Sequence, residues 1–242
     1  MVAFLHGVTL DSRMWDEQLQ AFGEHWRCLA IDLRGHGKSA PLVAGYDPAA
    51  DLREVLAAER VDRCVVVGLS LGGHDALVFA GLQPDHCAGL VLVDAWLPGP
   101  ELAGWEPPFR LARAQGATAA REAWLADALF AGSAARPTVR SRLAEMVGAN
   151  DLRIWTDATP RASHPPARDL ASRVETPTQV LVGEDDLPGF RAVARWLAER
   201  IPGAAGRPLA TVPGAGHMLP MDDPGAFNAV LADFVSSLPG RG

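Results

Sequence analysis

The sequence predicts an α/β protein, a doubly wound and mainly parallel sheet with helices over both faces. Apolar runs of strand length recur along the chain, and segments of helical period separate them. The runs are nearly continuous in apolar residues rather than alternating, as expected of strands buried on both faces. The alternation holds over residues 1–96 and 174–242, which are read as one core. Residues 97–173 interrupt it with prolines and helical patterns alone, and are read as a helical insertion that covers the strand ends as a lid.

Each element has its own signal. Val2 to Leu5 forms a short apolar strand, after which Trp15, Leu19 and Phe22 recur at helical spacing behind the capping candidates Asp11 and Ser12. Arg27 to Ile31 is the next strand. Asp47-Pro48 opens a helix that turns Leu52, Val55 and Leu56 inward, and the strand Arg63 to Val67 follows. Further strands are predicted at Leu90 to Val93, Thr178 to Val182 and Leu209 to Val212, and Pro224 starts a closing helix that buries Phe227, Val230, Leu231 and Phe234. Within the insertion, Ala119 to Phe130 and Thr138 to Val147 carry helical patterns.

Composition excludes several classes of function. With 48% hydrophobic and 21% charged residues the chain is ordinary globular material rather than a disordered one. A net charge of -7 argues against nucleic acid and against acidic membrane surfaces, both of which favour basic patches. Lys38 is the only lysine, and the arginines are scattered. Cys28, Cys64 and Cys87 begin apolar runs without regular spacing, which suggests neither a disulfide framework nor a zinc site and fits a reducing compartment. No uncharged apolar stretch approaches the ~20 residues of a spanning helix, and the N-terminus lacks a basic leader. A soluble cytoplasmic protein acting on a small molecule is expected.

The most informative local pattern is Gly68-Leu69-Ser70-Leu71-Gly72, placed directly between Cys64-Val65-Val66-Val67 and the helix-like stretch from Gly73 to Ala80. A buried strand that turns sharply into a helix strains the turn residue, so its flanks must be nearly without side chains. Gly68 and Gly72 satisfy that condition. Ser70 is then raised above the sheet with a helix N-terminus beside it, the arrangement of an activated nucleophile.

A serine hydroxyl needs a base, and the base needs a partner that fixes its tautomer. In a parallel sheet such groups come from loops after strands. His217, in Gly214-Ala215-Gly216-His217, is the histidine so placed. Gly183-Glu184-Asp185-Asp186 follows the strand Thr178 to Val182, so that either Asp186 or Asp185 can supply the acid, with Asp94 as a second source after Leu90 to Val93. His6-Gly7 follows the first strand. There the backbone N–H of Val8, together with that of Leu71, is expected to form an oxyanion hole, one donor of which is worth roughly 3 to 4 kcal/mol of barrier.

The order His6-Gly7, Ser70, Asp186, His217 resembles that of the α/β-hydrolase superfamily. Asp32-Leu33-Arg34-Gly35-His36-Gly37-Lys38-Ser39 is similar to the family's turn after its fourth strand, and Pro213-Gly214-Ala215-Gly216-His217 to its histidine loop. The family pattern Gly-x-x-Asp, counted from Gly183, selects Asp186. Relatives usually carry two antiparallel strands ahead of the His-Gly strand, which here begins at the second residue. The resemblance implies a serine hydrolase that cleaves a small or medium carboxylic ester through an acyl-enzyme on Ser70, without metal or organic cofactor. Similar lidded relatives break carbon-carbon bonds or enol-lactones, and a non-catalytic receptor on the same scaffold is the third alternative. Trp96, Trp124 and Trp155 are expected to line the substrate pocket.

Overall fold

The computed structural model describes residues 1–157 and 159–239. Six strands, β1 (Val2–Leu5), β2 (Cys28–Ile31), β3 (Cys64–Leu69), β4 (Cys87–Val93), β5 (Thr178–Gly183) and β6 (Ala210–Val212), form one sheet in the order β2-β1-β3-β4-β5-β6. Every pairing is parallel. The fold is therefore the doubly wound α/β architecture that the apolar runs predict, and no antiparallel strand joins the sheet among the described residues. Central β3 is buried at all six positions, whereas edge strand β2 is half-buried throughout. Val65, Val66 and Val67 suit this centre because β-branched side chains fill a pleated surface buried on both sides.

Helices flank the sheet in two groups. In one, α1 (Asp16–Phe22) packs against the closing helix, and Trp15 sits between Phe4 and Phe227 at ring distances of 5.1 and 6.0 Å. In the other, α2 (Pro48–Ala58), α3 (Leu71–Leu82) and a later helix pack together. Asp47 caps α2 by accepting the N–H of Ala49, whereas Asp11 accepts the N–H of Arg13 and so caps a separate 3-10 turn, Ser12–Trp15, leaving α1 to begin at Asp16 without a side-chain cap.

Between β4 and β5 the described residues form no strand of the sheet, only an isolated β-bridge of Arg161 to Tyr46, and their regular structure is 3-10 turns and α-helices. The α-helices are α4 (Phe109–Gln115), α5 (Ala117–Leu125), α6 (Pro137–Ala149), α7 (Arg153–Thr156) and α8 (Ala167–Ala171), the last of which lies against α3. The single helix expected from Ala119 to Phe130 is split. The Asp127 carboxylate accepts the N–H of Leu129 at 2.8 Å and caps a separate 3-10 turn, Ala128–Ser133, so that the chain leaves the α-helix at Leu125. After β5 come α9 (Pro188–Arg200), the short α10 (Leu219–Asp222) and α11 (Pro224–Ser237), whose Phe227, Leu231 and Phe234 are buried and whose Val230 is half-buried.

Candidate active site

The carboxyl ends of β3, β4, β5 and β6 deliver Ser70, Asp94, Asp186 and His217 to one edge of the sheet. Ser70 is the turn residue between β3 and α3, with φ 53° and ψ −112°, a left-handed conformation that is costly for a residue with a Cβ. Its neighbours show why they are glycine. A Cβ on Gly68 would lie 2.2 Å from the carbonyl oxygen of Gly72, and one on Gly72 would lie 2.3 Å from that of Leu5. The turn is fixed by Ser70 N–H donating to Val93 and by the Ser70 carbonyl accepting from His74 and Trp96.

His217 is buried, and its Nδ1 donates to Asp186 Oδ2 at 2.9 Å. The other oxygen of Asp186 accepts the N–H of Leu187 at 2.6 Å, so the carboxylate cannot swing away without breaking two bonds. The structure thus distinguishes the two adjacent acids: Asp186 meets the imidazole, whereas Asp185 is exposed. With Nδ1 donating, Nε2 carries the ring's lone pair, and it is buried with no partner among the described residues. No hydrogen bond joins it to Ser70 in this structure; such contacts are often long without substrate. Phe190 packs edge-on against the imidazole, with ring centroids 4.3 Å apart and planes inclined by 62°. The loop that bears His217 is anchored by Asp222, which accepts from Gly216 N–H at 2.9 Å and from Ser133 Oγ at 2.7 Å.

Asp94 lies beside this pair. Its Oδ1 accepts the N–H of Gly183 at 2.8 Å and its Oδ2 is buried without a hydrogen-bond donor. Ligating atoms of Asp94, Asp186 and His217 all fall within 4.8 Å of one another, the closeness of a metal site. The imidazole proton already bridges to Asp186, however, and the backbone already occupies one oxygen of each acid. Burial, and next the charge of Asp186, push the Asp94 carboxyl well above the usual range. Both causes favour the neutral form of this acid beside the imidazole.

His6 is buried and both ring nitrogens are engaged. Leu33 N–H donates to Nε2 at 2.9 Å, which makes Nδ1 the donor to the Gly7 carbonyl at 2.8 Å. Burial holds this imidazole below its ordinary pKa, and hence neutral. It ties the loop after β1 to the loop after β2 and sets Gly7 against Ser70. Val8 and Leu71 line the cavity beside Ser70, and neither backbone N–H donates to any group among the described residues.

That cavity measures about 630 Å³ and is walled by Trp96, Trp105, Phe109 and Trp155, with Tyr46 and Arg161 on its polar side. Of the three tryptophans expected there, Trp96 and Trp155 line it. Trp124 does not: it is buried, packs on Phe130 and Trp155 at 5.1 and 5.3 Å, and donates its indole N–H to Thr9 Oγ1 at 2.8 Å. Its helical spacing pointed inward but gave no indication of which neighbour it meets. Tyr46, Phe190 and Arg161 had no motif to reveal them.

The sheet order, the strained serine and the buried imidazole–carboxylate pair define the class of the fold, and comparison with known proteins identifies the same class. The model of the Alpha/beta hydrolase family matches residues 2–230. The chain belongs to that family. It is 31% identical to the 2-succinyl-6-hydroxy-2,4-cyclohexadiene-1-carboxylate synthase of Enterobacter sp. (strain 638), over 97% of this chain and 91% of that one. Among solved structures, a thermophilic esterase from Thermogutta terrifontis superposes with a TM-score of 0.80 at 25% identity, covering 97% of this chain and 89% of the esterase. Est816, an N-acyl homoserine lactone degrading enzyme, superposes with a TM-score of 0.78 at 29% identity over 96% and 92% of the two chains.

Proposed function

We propose that this protein is a serine hydrolase that cleaves a small or medium carboxylic ester. The observation that carries the reading is the buried Asp186–His217 pair, with its free Nε2, on the same sheet edge as a serine held at φ 53°. In the proposed cycle Ser70 Oγ bonds to the ester carbonyl carbon as its proton passes to His217 Nε2. The N–H groups of Val8 and Leu71 receive the oxyanion. Collapse of the tetrahedral intermediate breaks the bond to the alcohol, which leaves with the proton from His217. Water then attacks the acyl-enzyme by the same route, giving the acid and restoring Ser70. Asp186 orients the imidazole and stabilises it while it is charged. Residues 97–173 act as the lid that shapes the apolar cavity, and the enzyme works in the cytoplasm.

The similarity to an esterase and to a lactone degrading enzyme supports hydrolysis of an ester bond. The test is labelling with a fluorophosphonate alongside steady-state turnover of p-nitrophenyl esters. Native protein is expected to be labelled at Ser70 and to turn over the esters. Ser70→Ala is expected to lose labelling and nearly all turnover while keeping the native circular dichroism spectrum. Failure to label Ser70 leaves the scaffold as a receptor, whereas rapid turnover of a vinylogous diketone without ester turnover makes the enzyme a carbon-carbon bond hydrolase.

A further inference from the structure

Among the described residues, the cavity beside Ser70 is lined by one strong positive charge, Arg161, and the protein has already matched it. Arg161 donates through Nη1 to Asp75 Oδ1 at 2.6 Å, through Nη2 to Asp75 Oδ2 at 3.4 Å and through Nε to the Tyr46 hydroxyl at 3.0 Å. Its guanidinium also lies over the Tyr46 ring, 5.4 Å from the centroid. Asp75 is 3% exposed and sits five residues beyond Ser70 on α3, so its position is fixed relative to the nucleophile. It also engages His74 Nδ1 at 3.1 Å. The other charge on the cavity, Glu106, lies at the exposed rim and pairs with Arg110 at 3.3 Å.

We infer that Asp75 sets the charge selectivity of this site: by neutralising Arg161 it fits the cavity to an uncharged, apolar ester and excludes esters that carry a carboxylate. A substrate carboxylate would have to displace a buried, bidentate carboxylate from the guanidinium, or else lose its water against aromatic walls. Burial raises the Asp75 carboxyl, but Arg161 and then His74 more than offset this and hold it below the ordinary range, so that it remains ionised. The site thereby differs from one built for the carboxylate-bearing product named for its relative from Enterobacter. The inference rests on the hydrolase reading of Ser70 and deepens it.

The test compares two esters of matched length, p-nitrophenyl pentanoate and the mono-p-nitrophenyl ester of glutaric acid, in which a carboxylate replaces the terminal methyl. In the native protein kcat/KM is expected to favour the neutral ester by about tenfold or more. Asp75→Asn frees the guanidinium, and the preference is expected to shrink or reverse. Arg161→Met removes it and is expected to leave the neutral preference in place, which keeps the idea testable if the Asp75 variant does not fold. Equal or better turnover of the anionic ester by the native protein overturns the inference alone, as does selective loss of anionic turnover in Arg161→Met. Absence of turnover with both esters, together with absence of fluorophosphonate labelling at Ser70, overturns the hydrolase reading and this inference with it.

Discussion

Asp94, Asp186 and His217 share a buried volume in which the charge of Asp186 works against ionising Asp94. Geometry divides their roles, since Asp186 accepts the imidazole N–H while Asp94 is held by Gly183, with its carboxyl pushed well above the usual range by burial and by the charge of Asp186. Asp186→Asn is therefore expected to lower kcat by about 10³- to 10⁴-fold, because an amide stabilises the wrong tautomer. Asp94→Asn, an isostere of the protonated acid, is expected to stay within about tenfold of native kcat. An inactive Asp94→Asn beside an active Asp186→Asn would hand the role to Asp94. Asp94 also implies a pH dependence. Its folded-state pKa is raised, so its contribution to stability is complete below the unfolded value of about 4 and is lost as pH rises towards the folded one. Urea denaturation should thus show native protein losing stability relative to Asp94→Asn as pH climbs above about 4, with a limiting slope of about 1.4 kcal/mol per pH unit. Parallel curves would show that Asp94 ionises normally.

At the scale of elements, the strands were legible because a buried parallel strand leaves an unbroken apolar run, and the loops after such runs are where the structure places Ser70, Asp186 and His217. Val2–Leu5 was bounded correctly; β3 begins at Cys64 rather than Arg63 but runs on through Gly68 to Leu69, and β4 begins at Cys87 rather than Leu90, because glycines and a cysteine continue the ladder. The helices of residues 97–173 were harder to bound, since one side-chain cap at Asp127 outweighed a continuous helical pattern. Contacts between distant segments carried no local signal at all: Arg161 finds Asp75 across 86 residues and Trp124 finds Thr9 across 115. Trp124 is the element-scale anchor that follows from this. Trp124→Ala is expected to cost about 3 to 5 kcal/mol by urea denaturation, and Trp124→Phe, which loses the bond to Thr9, about 1 kcal/mol plus a packing term. A Trp124→Ala protein of native stability would show that the aromatic cluster is loosely packed.

For the whole molecule, the sheet and the intervening helices behave as one packed body. Ser133 and Asp222, Trp124 and Thr9, and Arg161 and Asp75 tie residues 97–173 to the rest through side chains that are mostly buried. The β2-β1-β3-β4-β5-β6 order brings residues from both ends of the chain to one edge, which is why the site was readable only as a sequence of loops and not as a geometry. The backbone at Ser70 has a further consequence at this scale. A contorted residue at the heart of a fold is a debt that every other contact services, and glycine, indifferent to the sign of φ, would cancel it. A Ser70→Gly protein should be chemically inert yet survive a few degrees more heat than its parent in a calorimeter. If it melts lower instead, the left-handed serine is no burden. A higher melting point would mean that this chain has given up some durability for the sake of a single oxygen atom.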